Sequence, residues 1–234
     1  MKSQNETKLL VFSLLFTTTL LGLGFLLWNQ FKLPTDVSQR YNISPGADST
    51  LKRISLGEKI LITDQINSDK EKGVEAFAQG DFEAAKTNFQ ASLRQNPNDP
   101  ESLIYLHNSL GSSSNYIKIA VSVPIGGNLN VAKEILRGVA QAQDEVNRNG
   151  GINGKLLQVA IANDDNDPTQ VQQIATHFVK DSSILAVVGH NASNASITAA
   201  PIYQQGGLVM ISPTSFAQNL SGICLLYTSD AADE

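Results

Sequence analysis

The chain has 234 residues, a formal net charge of −5, 41% apolar and 17% charged residues, and a single cysteine. The length allows one large domain or two small ones, and this composition excludes a disordered acidic chain. The acidic balance argues against a nucleic-acid partner, which needs a basic surface to neutralise phosphates. One cysteine excludes an intrachain disulfide and a multi-cysteine zinc site, and His107, His177 and His190 have no metal-ligand spacing.

Residues 9–28 read LLVFSLLFTTTLLGLGFLLW, beginning at Leu9 and ending at Trp28. That is 20 residues without a charge, enough for about 30 Å of helix and one bilayer crossing. Lys2 and Lys8 precede the run and favour a cytoplasmic N-terminus. A cleaved signal peptide has a shorter apolar core ending in small residues, whereas this run ends in Trp28, Asn29, Gln30 and Phe31, with no cysteine following for lipid attachment. The expectation is an uncleaved single-pass anchor over residues 1–30, with the later domains periplasmic or extracellular. A cleaved signal or a buried soluble helix are the alternatives. Residues 31–57, polar with Pro34, Pro45 and Gly46, read as a tether or as a loop packed on the next domain.

Residues 58–115 read as a small helical unit. Gly73, Gly80, Asp81, Phe82, Glu83, Ala85, Phe89, Leu93 and Pro97 fall at the offsets of a tetratricopeptide repeat, a helix–turn–helix. Gly73 and Ala85 are small where two helices would cross, Gly80 and Asp81 separate them, and Phe82, Phe89 and Leu93 share a face. Ala76 stands where that family usually has tyrosine. A third helix is expected from Pro100 to about Leu110, with Leu103, Leu106 and Leu110 as its seam. One repeat cannot bury its own face, so the third helix caps it or the unit packs on the domain C-terminal to it. It reads as a partner-binding surface or a structural spacer.

From Tyr116 the period changes. Strands are expected over residues 116–123, 156–162, 184–188 and 208–211, and helices over 131–149, 168–180 and 194–204. Ile135, Val139, Ala142 and Val146 form the face read for the first of these helices, and Asp167 with Pro168 opens the second. Strands alternating with helices at short spacing predict an α/β fold with a doubly wound parallel sheet. In such sheets ligands bind beyond the carboxyl ends of the strands, at the switch point. That places the candidate site at residues 124–128, 164–165, 190–193 and 212–216. Helix N–H groups after Ser193 would attract an anion such as a carboxylate.

These residues also resemble a known family. Val146-Asn147-Arg148-Asn149-Gly150-Gly151-Ile152-Asn153-Gly154, then Asp164-Asp165 with Asp167-Pro168, then Val188-Gly189-His190, then Ile211-Ser212-Pro213 recur in order. They are similar to the extracellular ligand-binding receptors of the leucine/isoleucine/valine-binding type, the type I periplasmic binding fold of ABC importers. The resemblance covers about residues 116–222 and implies two lobes that close on a ligand. It implies a substrate-binding component for amino acids or related small carboxylates, with an ABC permease as partner and no cofactor. It also places Ser193 where the family binds the ligand carboxylate, and Thr214 where a backbone carbonyl takes the ammonium. Phe216, with Ser215 beside it, stands where the family has a threonine hydroxyl. His190 and Asn191 complete the candidate ligand-binding set of Ser193, Thr214, Ser215, Phe216, His190 and Asn191.

The other readings are weaker. Ser193, His190 and Asp164 could form a nucleophile–base–orienter set, but no nucleophile elbow is present, so no enzyme activity is expected. Asp164, Asp165 and Asp167 lack the glycine and glutamate of an EF-hand and read as a turn with a helix cap. Gly126-Gly127 lacks the rest of a dinucleotide motif. A ligand sensor or scaffold, using the helical repeat to recruit a protein partner, is the alternative to a transport receptor. Finally, residues 224–234 (CLLYTSDAADE) resemble the translation of a transposon-end sequencing adaptor. Residues 116–223 are therefore expected to be an incomplete lobe, and residues 224–234 to belong to no element.

Overall fold

The computed structural model describes residues 49–64, 66–110, 116–221 and 226–228. The apolar run 9–28 and the first part of the expected tether lie outside the described residues; among the described ones no helix is long and apolar enough to cross a membrane.

Residues 66–110 hold three helices: α1 (Ser68–Ala78), α2 (Phe82–Gln95) and α3 (Pro100–Asn108). Each begins at a capping side chain. Asn67 accepts from the Lys70 N–H, Asp81 from that of Ala84, and Asp99 from those of Glu101 and Ser102. Gly73 lets α1 and α2 touch, since a Cβ there would lie 2.7 Å from the Phe89 ring. In α3 the expected seam is not the buried face. Leu110 is 41% exposed, while Glu101, Ser102, Ile104, Tyr105, His107 and Asn108 are buried. The helix is enclosed by α2, the sheet edge and the long helix α4 (Leu129–Arg148), so its polar side chains bond inward.

The strands are β1 (Ile54–Ser55), β2 (Tyr116–Val123), β3 (Leu156–Asn163), β4 (Ile184–Val188), β5 (Val209–Ser212) and β6 (Leu226–Thr228). They form one sheet in the order β1-β3-β2-β4-β5-β6, with β1 antiparallel to β3 and every other pair parallel. On one face α5 (Pro168–Lys180) and α6 (Ser193–Gly206) pack Ile174, Phe178, Ala199 and Tyr203 with Ala120, Ala160, Val187 and Met210. On the other face Leu136 and Ala140 of α4 join Val121, Val123, Val159 and Ile161. Phe89, Ile104 and Tyr105 of the helical unit belong to that same cluster. The helical unit and the sheet therefore share one core.

Two sequence expectations are corrected in α4 and at β1. The buried stripe of α4 is Ala132, Leu136, Ala140, Gln143 and Asn147, one position away from Ile135, Val139, Ala142 and Val146. Gln143 and Asn147 are buried because they bond to the sheet, which makes the true stripe look polar in sequence. Residues 54–55, expected in the tether, are instead a strand on the edge of β3.

That edge is closed group by group. Asn147 bonds both the N–H and the carbonyl of Leu157 at 2.7 and 3.0 Å. Asn108 does the same for Val159 at 2.9 and 2.8 Å. Beyond them β1 pairs with Ile161 and Ala162, and the Asn163 N–H donates to the Arg53 carbonyl at 2.9 Å. At the opposite edge, the expectation that residues 224–234 lie outside every element is also corrected: residues 226–228 pair with β5 as β6. An open strand edge accepts any segment able to run extended beside it.

Candidate functional site

β3 and β4 lie on opposite sides of β2, so the order of connection reverses there. The crevice at this switch point is framed by the loops at the carboxyl ends of β2, β3, β4 and β5. The β2 end carries Gly126-Gly127. The Gly126 N–H donates to Asp165 Oδ1 at 2.7 Å, and a Cβ on Gly127 would lie 2.5 Å from the Asp165 carbonyl oxygen. Asp165 in turn pairs with Arg53 at 2.6 Å. Asp167 caps α5, accepting from the Gln170 N–H, as the helix-cap reading predicts.

Behind the crevice lies a closed polar network. His190 is fully buried, with Nδ1 2.6 Å from Asp164 Oδ2 and Nε2 3.1 Å from the Tyr203 hydroxyl. The rings of His190 and Tyr203 stack at 6.0 Å. Asp164 Oδ2 also accepts from Ser122 of β2 at 2.9 Å, and Oδ1 from the Asn166 N–H at 2.9 Å. The His190 carbonyl accepts from Ser196 of α6 and Ser212 of β5, each at 3.1 Å. Burial opposes the charge on Asp164, but the bonds from His190, Asn166 and Ser122 outweigh it and hold its carboxyl below the ordinary value. Burial and the Asp164 charge push the Tyr203 phenol well above its ordinary value.

The front of the crevice brings together four of the six candidate residues. Ser193 opens α6, whose N-cap, Ala192, makes no side-chain capping bond. The Ser215 hydroxyl donates to Ser193 Oγ at 3.3 Å, and the Thr214 hydroxyl donates to the Asn191 carbonyl at 2.8 Å. Phe216 is 75% exposed beside them. His190 is the correction: it is buried behind the crevice, both ring nitrogens are taken, and it offers no atom to a ligand. Nor do Ser193, His190 and Asp164 line up as a nucleophile set, since the second imidazole nitrogen faces Tyr203. Sequence reasoning missed Tyr203, Ser122 and Ser196. Ser122 left one signal, a lone hydroxyl near the end of an apolar strand that stops at the switch point. Away from the crevice, a cavity of about 260 Å³ between the helical unit and α4 is lined by Lys133 and Arg137 among others. Lys133 is paired with Asp64 and Arg137 with Glu134.

Residues 116–229 match the family described as Periplasmic binding protein. An "Amino acid binding protein" of Pseudomonas aeruginosa is 34% identical over 100 residues, covering 42% of this chain and 27% of that protein. A "Leu/Ile/Val-binding protein homolog 1" of Brucella abortus is 34% identical over 104 residues, 44% of this chain and 28% of that protein. A solved ABC transporter substrate-binding protein of Desulfitobacterium hafniense, in complex with Leu, is 34% identical, with a TM-score of 0.45 over 48% of this chain and 33% of that one. The chain thus spans between a quarter and a third of the length of the curated relatives it matches. The matched family consists of binding proteins of transporters, not enzymes.

Proposed function

We propose that residues 116–221 form part of the ligand-binding lobe of an extracytoplasmic receptor for amino acids or related small carboxylates, serving an ABC importer. The observation that carries this reading is the front of the crevice. Ser193 opens a helix without a capping side chain, beside Ser215 and Thr214, at the switch point of a sheet whose residues match a periplasmic binding family. Helix N–H groups and hydroxyls bind a carboxylate without a counter-charge. The nearby charged groups are already paired, Asp164 with His190 and Asp165 with Arg53. The ligand carboxylate takes the Ser193 hydroxyl and the α6 N–H groups, and the exposed Phe216 ring offers an apolar wall where the family's threonine would stand.

Residues 9–28 anchor the receptor in the membrane, with the helical unit and the lobe outside the cytoplasm. The tetratricopeptide-like hairpin is a structural extension of the lobe; what supports this over partner recruitment is its shared core with β2 and β3. A reporter fused after Gly57 is expected to be active outside the cytoplasm and to stay in the membrane fraction. A shortened, soluble product would refute the anchor.

The binding reading is tested by nuclear magnetic resonance on the labelled full chain in detergent, titrated with L-leucine, L-alanine and leucinol. The two carboxylates are expected to shift the amides of Ser193, Ala195 and Ser215, and leucinol is not. Ser193→Ala should weaken binding by about 1.5–3 kcal/mol, the scale of a hydrogen bond to a charged group, or roughly 10- to 150-fold. Phe216→Thr should move preference toward small aliphatic amino acids. Equal responses to leucine and leucinol would sink the carboxylate reading.

A further inference from the structure

The crevice residues come from separate elements, and hydrogen bonds among Asn191, Ser193, Thr214 and Ser215 alone do not fix where those elements stand. Ser193 rides on α6, Asn191 on the β4 loop, and Thr214 and Ser215 on the segment after β5. One buried residue touches all three. The ring of His190 reaches Asp164 beyond β3 and Tyr203 within α6, and its carbonyl receives Ser196 of α6 and Ser212 of β5. Through Asp164 the contact extends to Ser122 at the end of β2. The helix depends on such outside contacts, because Ala192 supplies no cap of its own.

The geometry points to His190 as a positioning residue for the carboxylate site, acting with Tyr203 as its partner and donating from Nδ1 to Asp164. This rests on the binding reading above for its ligand, though not for its geometry. The proton on Nδ1 follows from donor and acceptor matching. An ionised Asp164 can only accept, so Nδ1 donates to it. Nε2 meets the Tyr203 hydroxyl, which donates to a bare nitrogen or accepts from a protonated one, so the pair is bonded in either state. Tyr203 thereby fixes the rotation of α6 about its axis, and with it the direction in which Ser193 and the first N–H groups face. Of the neighbouring carboxylates, Asp165 is engaged by Arg53 and Asp167 caps α5.

The test uses the labelled full chain in detergent. Without ligand, long-range nitrogen–proton correlation is expected to show His190 protonated at Nδ1. Tyr203→Phe keeps the ring and removes only the hydroxyl. It is expected to shift the amides of Ser193, Ala195, Thr214 and Ser215 while the circular dichroism spectrum stays unchanged. With L-leucine the same variant should bind about 3- to 10-fold more weakly, the range of one ordinary hydrogen bond. His190→Asn, which retains a donor for Asp164 but cannot reach Tyr203, should reproduce the Tyr203→Phe shifts. A ring without a proton on Nδ1, or crevice amides that do not move in Tyr203→Phe, would overturn the proposal. A wild-type chain that ignores L-leucine, while Nδ1 is protonated and Tyr203→Phe gives the expected shifts, would refute the binding reading and support the positioning one.

Discussion

Asn108→Ala offers the sharpest test of how this fold is held. The side chain is fully buried at the C-terminal end of α3. Its carboxamide donates to the carbonyls of Leu56 at 2.6 Å and Val159 at 2.8 Å, and accepts from the Val159 N–H at 2.9 Å and from Gln143 Nε2 at 2.8 Å. It therefore stands in for a neighbouring strand on the outer edge of β3, where the ladder would otherwise have no partner. Removing it leaves the N–H and carbonyl of Val159 without those bonds in a buried setting. Each buried group so stranded costs about 1–3 kcal/mol, so the expected loss is about 2–6 kcal/mol. That is a large share of the roughly 5–15 kcal/mol by which domains are stable. Urea denaturation followed by circular dichroism gives the total, and amide exchange gives the location, with Val159 and its neighbours exchanging first. Asn88→Ala on the outer side of α2, where the side chain donates only to its own helix at Ala84, is the control and should change little. A loss below about 0.5 kcal/mol for Asn108→Ala, the scale of an ordinary surface change, would refute the edge-closing role.

Buried charge sets two further outcomes. Lys70 bonds Asp99 at 2.8 Å and Glu101 at 2.7 Å, all three nearly inaccessible, and Glu101 also receives the N–H groups of Leu61 and Ile62. Burial works against charge here, yet the two carboxylates hold Lys70 above its ordinary value, while burial keeps Glu101 above its own. Lys70→Met should cost about 3–5 kcal/mol in urea denaturation, and adding Glu101→Gln should restore part of it; no restoration would mean the cost is packing alone. His107 and His177 are held below their ordinary value of 6.5, mainly by burial. The unfolded chain then binds more protons than the folded one, so their share of stability is intact above pH 6.5 and is lost as pH falls below it. His107→Gln should shrink the difference in urea midpoint between acidic and alkaline buffer, every other titrating group being common to both proteins. An unchanged difference would show that His107 does not titrate against the fold.

Local order in this protein is written in the chain. The strands at residues 116–123 and 184–188 and the helix at 168–180 stand where period, β-branched runs, Asp167 and Pro168 place them, because these are short-range properties. The crevice was legible as well, since strand ends in an alternating α/β pattern must converge at a switch point. Assembly settled everything that depends on partners far away in the chain. Gln143, Asn147 and Asn108 stand outside every apolar face read from the sequence and are buried, because each carboxamide completes a strand edge that no local pattern announces. His190 read as a residue facing ligand and lies behind the crevice, because Asp164, 26 positions earlier, and Tyr203, 13 later, satisfy both its nitrogens only when β3, β4 and α6 are assembled. What covers the face of the helical unit stayed open in the sequence; in the structure Phe89, Ile104 and Tyr105 find their apolar neighbours in β2 and β3. Hydrophobic period shows that a face must be buried; only packing chooses what buries it.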